Sequence, residues 1–276
     1  MIVFPNAKIN IGLYVLGVRP DGLHDLETVF FPIPLRDTLE ITPLKMSNSP
    51  WELITAGIPV SGHAEDNLVV RVFNDMQREF SLPPMSIYLD KKIPMGAGLG
   101  GGSSDAAFMM KALNEQFDLG LSVEEMKHRL SKIGADCAFF VENKPSFAMG
   151  IGDELSSVQV DLAGKWLVLL KPSSSVSTKE AYAHVPCRHA SPVDLCQILG
   201  HPVQEWRNVV GNDFETSVFP THPEIAVLKS ALYDMHALYS SMSGSGSSVF
   251  GIFEHKPYGD LEKIFPDCFI FQSTLL

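Results

Sequence analysis

Apolar and polar positions alternate strictly across residues 7–16, with Ala7, Ile9, Ile11, Leu13 and Val15 on one side and Lys8, Asn10, Gly12, Tyr14 and Leu16 on the other. A period of two predicts a strand with one face in a core. It leaves open whether Lys8 and Asn10 lie on a solvated outer face or line a cleft. Pro20-Asp21-Gly22 predicts a turn, with His24 in the loop just beyond it, ahead of the apolar Val29-Phe30-Phe31. Residues 37–42 and 51–55 read as further strands, joined by a polar connection over residues 43–50. Leu68, Val69, Val72, Phe73, Met76 and Phe80 then recur at helical spacing, with Asp66 as the expected cap and Pro83-Pro84 as the stop.

Next come a short strand at residues 86–89, a glycine-rich stretch, and a run of good helix formers at residues 106–113. Ser122-Val123-Glu124-Glu125 has the pattern of a capping box, opening a helix that stops near Gly134. Beyond a turn at residues 150–155 the character changes, which places a domain boundary near residue 156: one domain over 1–155 and a second over 156–276. The second domain holds a buried-type strand at 166–170, a polar link at 171–178, and a helix starting around Lys179 and Tyr182. Its segment 187–211 carries weak signals and reads as mobile surface. An amphipathic helix from His222-Pro223-Glu224 follows, then a Gly/Ser stretch at 243–248 placed between a helix and the strand 249–253, and a final helix and strand at 260–265 and 268–272. The mixture is α+β.

Composition narrows the function. A net charge of -11 over 276 residues argues against a nucleic-acid surface, which needs concentrated Lys and Arg. The cysteines at 137, 187, 196 and 268 form no C-x-x-C pair and no zinc-like cluster, so they read as reduced thiols of a cytosolic protein. No apolar run approaches the ~20 residues that span a bilayer, and the N-terminus does not look like a signal peptide. The expectation is a cytoplasmic protein that binds neither membrane nor nucleic acid; its oligomeric state is not legible.

The candidate chemistry is concentrated in Ile93-Pro-Met-Gly-Ala-Gly-Leu-Gly-Gly-Gly-Ser-Ser-Asp-Ala-Ala107, where five of the seven residues 96–102 are glycine. Such a backbone can wrap an anion, and a helix starting directly after it offers unpaired N–H groups to phosphate. Ser103, Ser104 or Asp105 would cap that helix. The stretch lacks the Gly-Lys-Ser/Thr ending of a Walker A loop and does not fit a dinucleotide fingerprint. Asp136, set between Gly134-Ala135 and Cys137-Ala138-Phe139-Phe140, is one carboxylate among small and apolar neighbours. If it is buried and charged it needs a cation, for which Lys8 is the candidate; a helix-cap or turn aspartate is the plainer reading.

Pro94-Met95-Gly96-Ala97-Gly98-Leu99-Gly100-Gly101-Gly102-Ser103-Ser104 resembles the ATP-binding loop of the GHMP kinases, named for galactokinase, homoserine kinase, mevalonate kinase and phosphomevalonate kinase. Ala7-Lys8-Ile9-Asn10 with Asp21-Gly22-Leu23-His24, then Gly134-Ala135-Asp136, then Ser243-Gly244-Ser245-Gly246 are similar, in that order, to the branch that phosphorylates a cytidine diphosphate methylerythritol in the non-mevalonate isoprenoid pathway. The resemblance implies a two-domain fold, ribosomal-protein-S5-like at the N-terminus and ferredoxin-like at the C-terminus. It also implies ATP with Mg2+, a small-molecule alcohol as acceptor, Lys8 and Asp136 as the catalytic pair, and residues 94–104 around ATP. Asn10, His24, Thr178 and Tyr182 would lie around the cytidine-bearing substrate. At three places the chain departs from the family pattern. Leu23 stands where Tyr is usual, Cys137-Ala138 replaces Val-Pro, and Gly101-Gly102 replaces Ser-Ser, so no serine ligand for magnesium is assigned. A kinase for another alcohol, such as homoserine or mevalonate, and a catalytically silent nucleotide sensor are the alternatives.

Overall fold

The computed structural model describes residues 1–45 and 47–275. In chain order the first strands are β1 (Ile2–Val3), β2 (Asn6–Val18), β3 (His24–Arg36), β4 (Thr38–Pro43) and β5 (Trp51–Gly57). Then come α1 (Leu68–Phe80), β6 (Met85–Lys91), α2 (Gly101–Gln116), α3 (Val123–Ser131), α4 (Phe139–Glu142), β7 (Ser146–Met149) and β8 (Glu154–Ser157). The remainder is β9 (Trp166–Pro172), α5 (Thr178–Ala183), α6 (Leu195–Ile198), α7 (Phe214–Val218), α8 (Pro223–Asp234), β10 (Tyr239–Met242), β11 (Val249–Phe253), α9 (Leu261–Ile264) and β12 (Cys268–Thr274). Among the described residues no helix is long and apolar enough to cross a membrane.

The chain divides into two compact units. The first comprises Met1–Ala7, Leu35–Met95 and Gly100–Lys144. Its sheet has the order β1-β4-β6-β5, with β5 parallel to β6 and the other pairs antiparallel. Along β6 the positions alternate as the pleat requires: Met85, Ile87, Leu89 and Lys91 are buried, while Ser86, Tyr88 and Asp90 are not. Helix α1 buries Val69, Val70, Val72, Phe73 and Met76, each worth about 1.5–3 kcal/mol of transfer free energy, and packs against α2. Its cap is Asn67, whose side chain accepts from the Val69 amide, rather than the expected Asp66, which closes the preceding 3-10 turn. The helix also ends before the prolines, at Ser81, which turns left-handed. The capping box at Ser122 and Glu125 forms as expected.

The second unit comprises Lys8–Pro34, Gly96–Leu99 and Pro145–Leu276. It holds two four-stranded sheets, β2-β3-β7-β8 and β10-β11-β9-β12. Of the first only β2 was read as a strand from the sequence; β3 begins at His24, in what reads as a loop, and β7 and β8 are four residues each and flank the turn at 150–152. In the second, β9 lies between β11 and β12, antiparallel to both, and its Val168 and Leu170 share a core with Leu13, Val15, Phe214, Ile225 and Leu232. The Gly/Ser stretch at 243–248 joins β10 to β11 in this sheet, so it links two strands and not a helix and a strand.

Two expectations fail together for one physical reason. β2 is buried on both sides from Asn6 to Val15, not on one. Around Gly12 and Tyr14 its second side is covered by the segment read as mobile surface, while Lys8 and Asn10 are enclosed by Phe30, Thr28 and Ser243. Leu195 sits over Gly12, where a Cβ would come within 2.5 Å of its Cδ2; the Tyr14 hydroxyl bonds the Val209 carbonyl; and Gly211 to Asp213 run parallel beside Leu13. The anchor of that segment is Trp206, fully buried, with its indole N–H on the His201 carbonyl.

Candidate active site

The glycine stretch turns by way of Gly96, Gly98 and Gly100, all at positive φ (59°, 75° and 67°), a region L side chains rarely adopt. Gly98 has a second reason to lack a side chain, since a Cβ there would collide with the Ser243 carbonyl oxygen. Within the second unit, three main-chain carbonyls of the loop are held. Gly98 O accepts from Ser243 Oγ (2.9 Å), Leu99 O from the Lys8 amide (2.9 Å) and Ala97 O from the Ser248 amide (3.3 Å). Fixing the carbonyls on that side leaves the loop pre-shaped for a ligand, which lowers the ordering cost of binding.

Helix α2 starts earlier than the composition suggested. Gly100 stands at the N-cap with no side-chain cap, and Ser103, Ser104 and Asp105 lie inside the helix. The Ser104 amide makes the bond to Gly100 O at 2.8 Å, so the amides of Gly101, Gly102 and Ser103 have no acceptor within the helix. With the helix dipole these are the groups that favour an anion. Ser104 itself is buried, with no hydrogen-bond partner for its hydroxyl. Gly101 is required by packing: a Cβ there would come within 2.8 Å of Ile93 Cγ2 and 3.4 Å of Lys91 Nζ.

Lys8 and Asn10 are not on a solvated face; each is 3% exposed. Lys8 Nζ donates to Asn10 Oδ1 (2.6 Å) and lies 4.8 Å from the centre of the Phe30 ring. Asn10 Nδ2 donates to Thr28 Oγ1 (3.0 Å), which donates to Gly12 O (2.5 Å), and the Asn10 amide donates to Ser243 Oγ (3.2 Å). Ser243 therefore braces the glycine loop and the lysine strand at once. A buried ammonium is tolerated only with such partners. Sequence reasoning noticed residues 243–246 by resemblance but gave Ser243 no task.

His24 is the first residue of β3 and not a loop residue. Its ring stacks on Tyr182 from α5, centroids 4.3 Å apart and planes tilted by 30°, and Phe214 backs Tyr182 edge-on at 4.7 Å. Thr178, exposed, opens α5, which Ser177 caps. Leu23 is 49% exposed, so no aromatic wall stands there.

Asp136 belongs to the first unit, at the centre of the 3-10 turn Ala135–Cys137, and is half-buried rather than enclosed. The turn packs on α2 through Cys137, whose thiol is hydrogen-bonded to Ser103; burial pushes that thiol up to about 11, so it stays neutral. Asp136 is thus set beside the first turn of α2. Among the described residues no three His, Cys, Asp or Glu side chains are grouped to hold a metal ion, so the side chains do not form a cage for Mg2+. A magnesium ion that keeps several waters and binds phosphate oxygens needs no such cage.

Known proteins match this arrangement along its length. The family model described as GHMP kinases N terminal domain matches residues 67–144, and that described as GHMP kinases C terminal matches residues 199–264. A 4-diphosphocytidyl-2-C-methyl-D-erythritol kinase of Bacteroides fragilis is 51% identical over 276 residues, covering all of both chains. The protein of that name from Bacteroides thetaiotaomicron is 49% identical over 263 residues, 95% of each chain. A crystal structure of 4-(cytidine 5'-diphospho)-2C-methyl-D-erythritol kinase matches with a TM-score of 0.78 and 30% identity, covering 91% of this chain and 90% of its own. With both family domains present in order and relatives this similar over the full length, the chain belongs to the GHMP kinase family, the two-domain α+β fold of ATP-dependent small-molecule kinases.

Proposed function

We propose that the protein transfers the γ-phosphate of ATP to the 2-hydroxyl of 4-diphosphocytidyl-2-C-methyl-D-erythritol, a step of the non-mevalonate isoprenoid pathway. The observation that carries the reading is the continuous hydrogen-bonded run from Lys8 through Asn10 and Ser243 to the glycine loop, in a chain 51% identical over its whole length to a kinase of that name. Phosphoryl transfer rests on positioning and electrostatics more than on covalent work by the protein. In this reading residues 94–104 seat the triphosphate, whose oxygens meet the free amides at the start of α2. Asp136 orients the acceptor hydroxyl and takes its proton as the oxygen attacks. Lys8, held by Asn10, offsets negative charge that develops on the transferring group. His24 and Tyr182 hold the cytosine, with Asn10 and Thr178 as polar contacts to the same substrate. Residues 1–155 would then carry most of the ATP and substrate contacts, and 156–276 would form the C-terminal domain. Mg2+ accompanies the phosphates of ATP, where its charge would screen theirs.

ADP release measured with a panel of acceptor alcohols tests this. Turnover should require the cytidine-linked methylerythritol. Equal or faster turnover with homoserine or mevalonate would sink the assignment of substrate while leaving the kinase family intact.

A further inference from the structure

One charged group in the first unit has no part in the chemistry above. Asp37 Oδ1 accepts from the backbone amides of Lys92 (2.5 Å) and Ile93 (2.8 Å), the residues by which the chain leaves β6 for the glycine loop. Its Oδ2 accepts from Lys91 Nζ, and that ammonium also donates to Asp105 Oδ2 at 2.6 Å, on α2 just after the loop. Asp37, Lys91 and Asp105 are all buried. The remaining oxygen of Asp105 has no hydrogen-bond partner. Gly101 lets the helix start come close enough for this, because any side chain there would press on Ile93 and Lys91 Nζ.

Three buried charges are costly to desolvate, and an apolar cluster of the same volume is often as stable or more so. What apolar residues could not do is tie the two stems of the loop by directed bonds: two to the incoming backbone, one across Lys91, one to the outgoing helix. We propose that Asp37, Lys91 and Asp105 form a positioning unit that fixes the two stems of the glycine loop relative to each other, and so sets the affinity for the phosphates of ATP without touching them. The proposal rests on the reading of that loop as the seat of ATP.

The test compares substitutions at Asp105 in the full-length protein, with MgATP binding followed by titration calorimetry alongside steady-state kinetics and Tm. Asp105→Ala should weaken MgATP binding and raise KM for ATP about tenfold or more, while KM for the acceptor changes by less than about twofold. Asp105→Asn, whose amide oxygen still accepts from Lys91, should restore ATP affinity. An ion pair that merely supports the core would lower Tm in Asp105→Ala and leave the ratio of the two KM values unchanged; that result overturns the proposal, as does unaltered ATP affinity in folded Asp105→Ala. Should Asp105→Ala fail to fold, Asp105→Ser makes the same comparison, since its hydroxyl is too short to reach Lys91. A wild-type protein that binds no MgATP overturns the reading of the loop and the positioning unit with it, whereas wild-type binding with an indifferent Asp105→Ala overturns the positioning unit alone.

Discussion

In the proposed reaction Lys8 and Asp136 would do different things, and their surroundings differ. Lys8 is enclosed and its amine is held by Asn10, whereas Asp136 is half-buried on a short turn. Lys8→Ala and Asp136→Asn should each lower kcat by about 10²–10⁴-fold, the usual range for a positioned acid–base or charge-stabilising group, with Tm little changed for Asp136→Asn. Steady-state kinetics with saturating ATP check this, and near wild-type turnover in either variant removes that residue from the chemistry. Asp105 gives a prediction of another kind. Burial raises its carboxyl from the ordinary 3.8 to about 7, Lys91 pulling it down and Asp37 pushing it up. For Lys91 burial works against the charge, and the two carboxylates outweigh it. Between those two values the folded protein holds a proton that the unfolded chain has released, so this contribution to stability is complete below about pH 4 and is lost as pH rises through about 7. Asp105→Asn removes the titration. Its Tm should fall less than that of the wild type when pH is raised from about 5 to about 8. Lys91 was within reach of the sequence: the alternation of Met85, Ile87 and Leu89 continues to it and puts a lysine on the inward side, where it must find carboxylates. Nothing in the sequence showed that Asp37 and Asp105 would supply them.

At the scale of elements, what was legible followed from local patterns, and what was missed depended on tertiary contacts. The strand, glycine loop and helix order is correct, because glycine density and helix propensity are local properties. The helix boundary is wrong by several residues because Gly101 and Gly102, poor helix formers, open the helix, Gly101 where α2 comes close to Ile93 and Lys91. Asp66 and Asn67 are both good caps, and only the backbone decides for Asn67. Asn67→Ala should cost about 1 kcal/mol, read as a lower Tm or denaturant midpoint, and Asp66→Ala much less. The glycine loop itself has a stricter requirement. Gly98→Ala adds a Cβ at positive φ against the Ser243 carbonyl, so the loop must move; ATP affinity should fall well before global stability does, as separate binding and unfolding measurements would show. Trp206 was misjudged because a lone tryptophan in a Pro- and polar-rich segment gives no periodicity to read. Trp206→Ala should destabilise by about 3–5 kcal/mol, a loss that an unfolding titration would detect.

At the scale of the molecule, the two units are assembled from interleaved pieces of chain. All of the first unit has been made once Lys144 is in place, but Lys8–Pro34 belongs with Pro145–Leu276. The bond from the Asn10 amide to Ser243 spans 233 residues of sequence. On a ribosome, where the N-terminal part emerges first, residues 35–144 can therefore collapse while the β2–β3 hairpin still waits for its partners. Contacts this distant in sequence also form slowly. In pulse-labelled hydrogen exchange during refolding, amides of residues 8–34 should gain protection later than those of residues 68–80 and 101–116. Binding competence would then arrive at the end of folding, when Ser243 closes on the loop, and an incomplete chain would have no braced loop with which to hold and waste ATP.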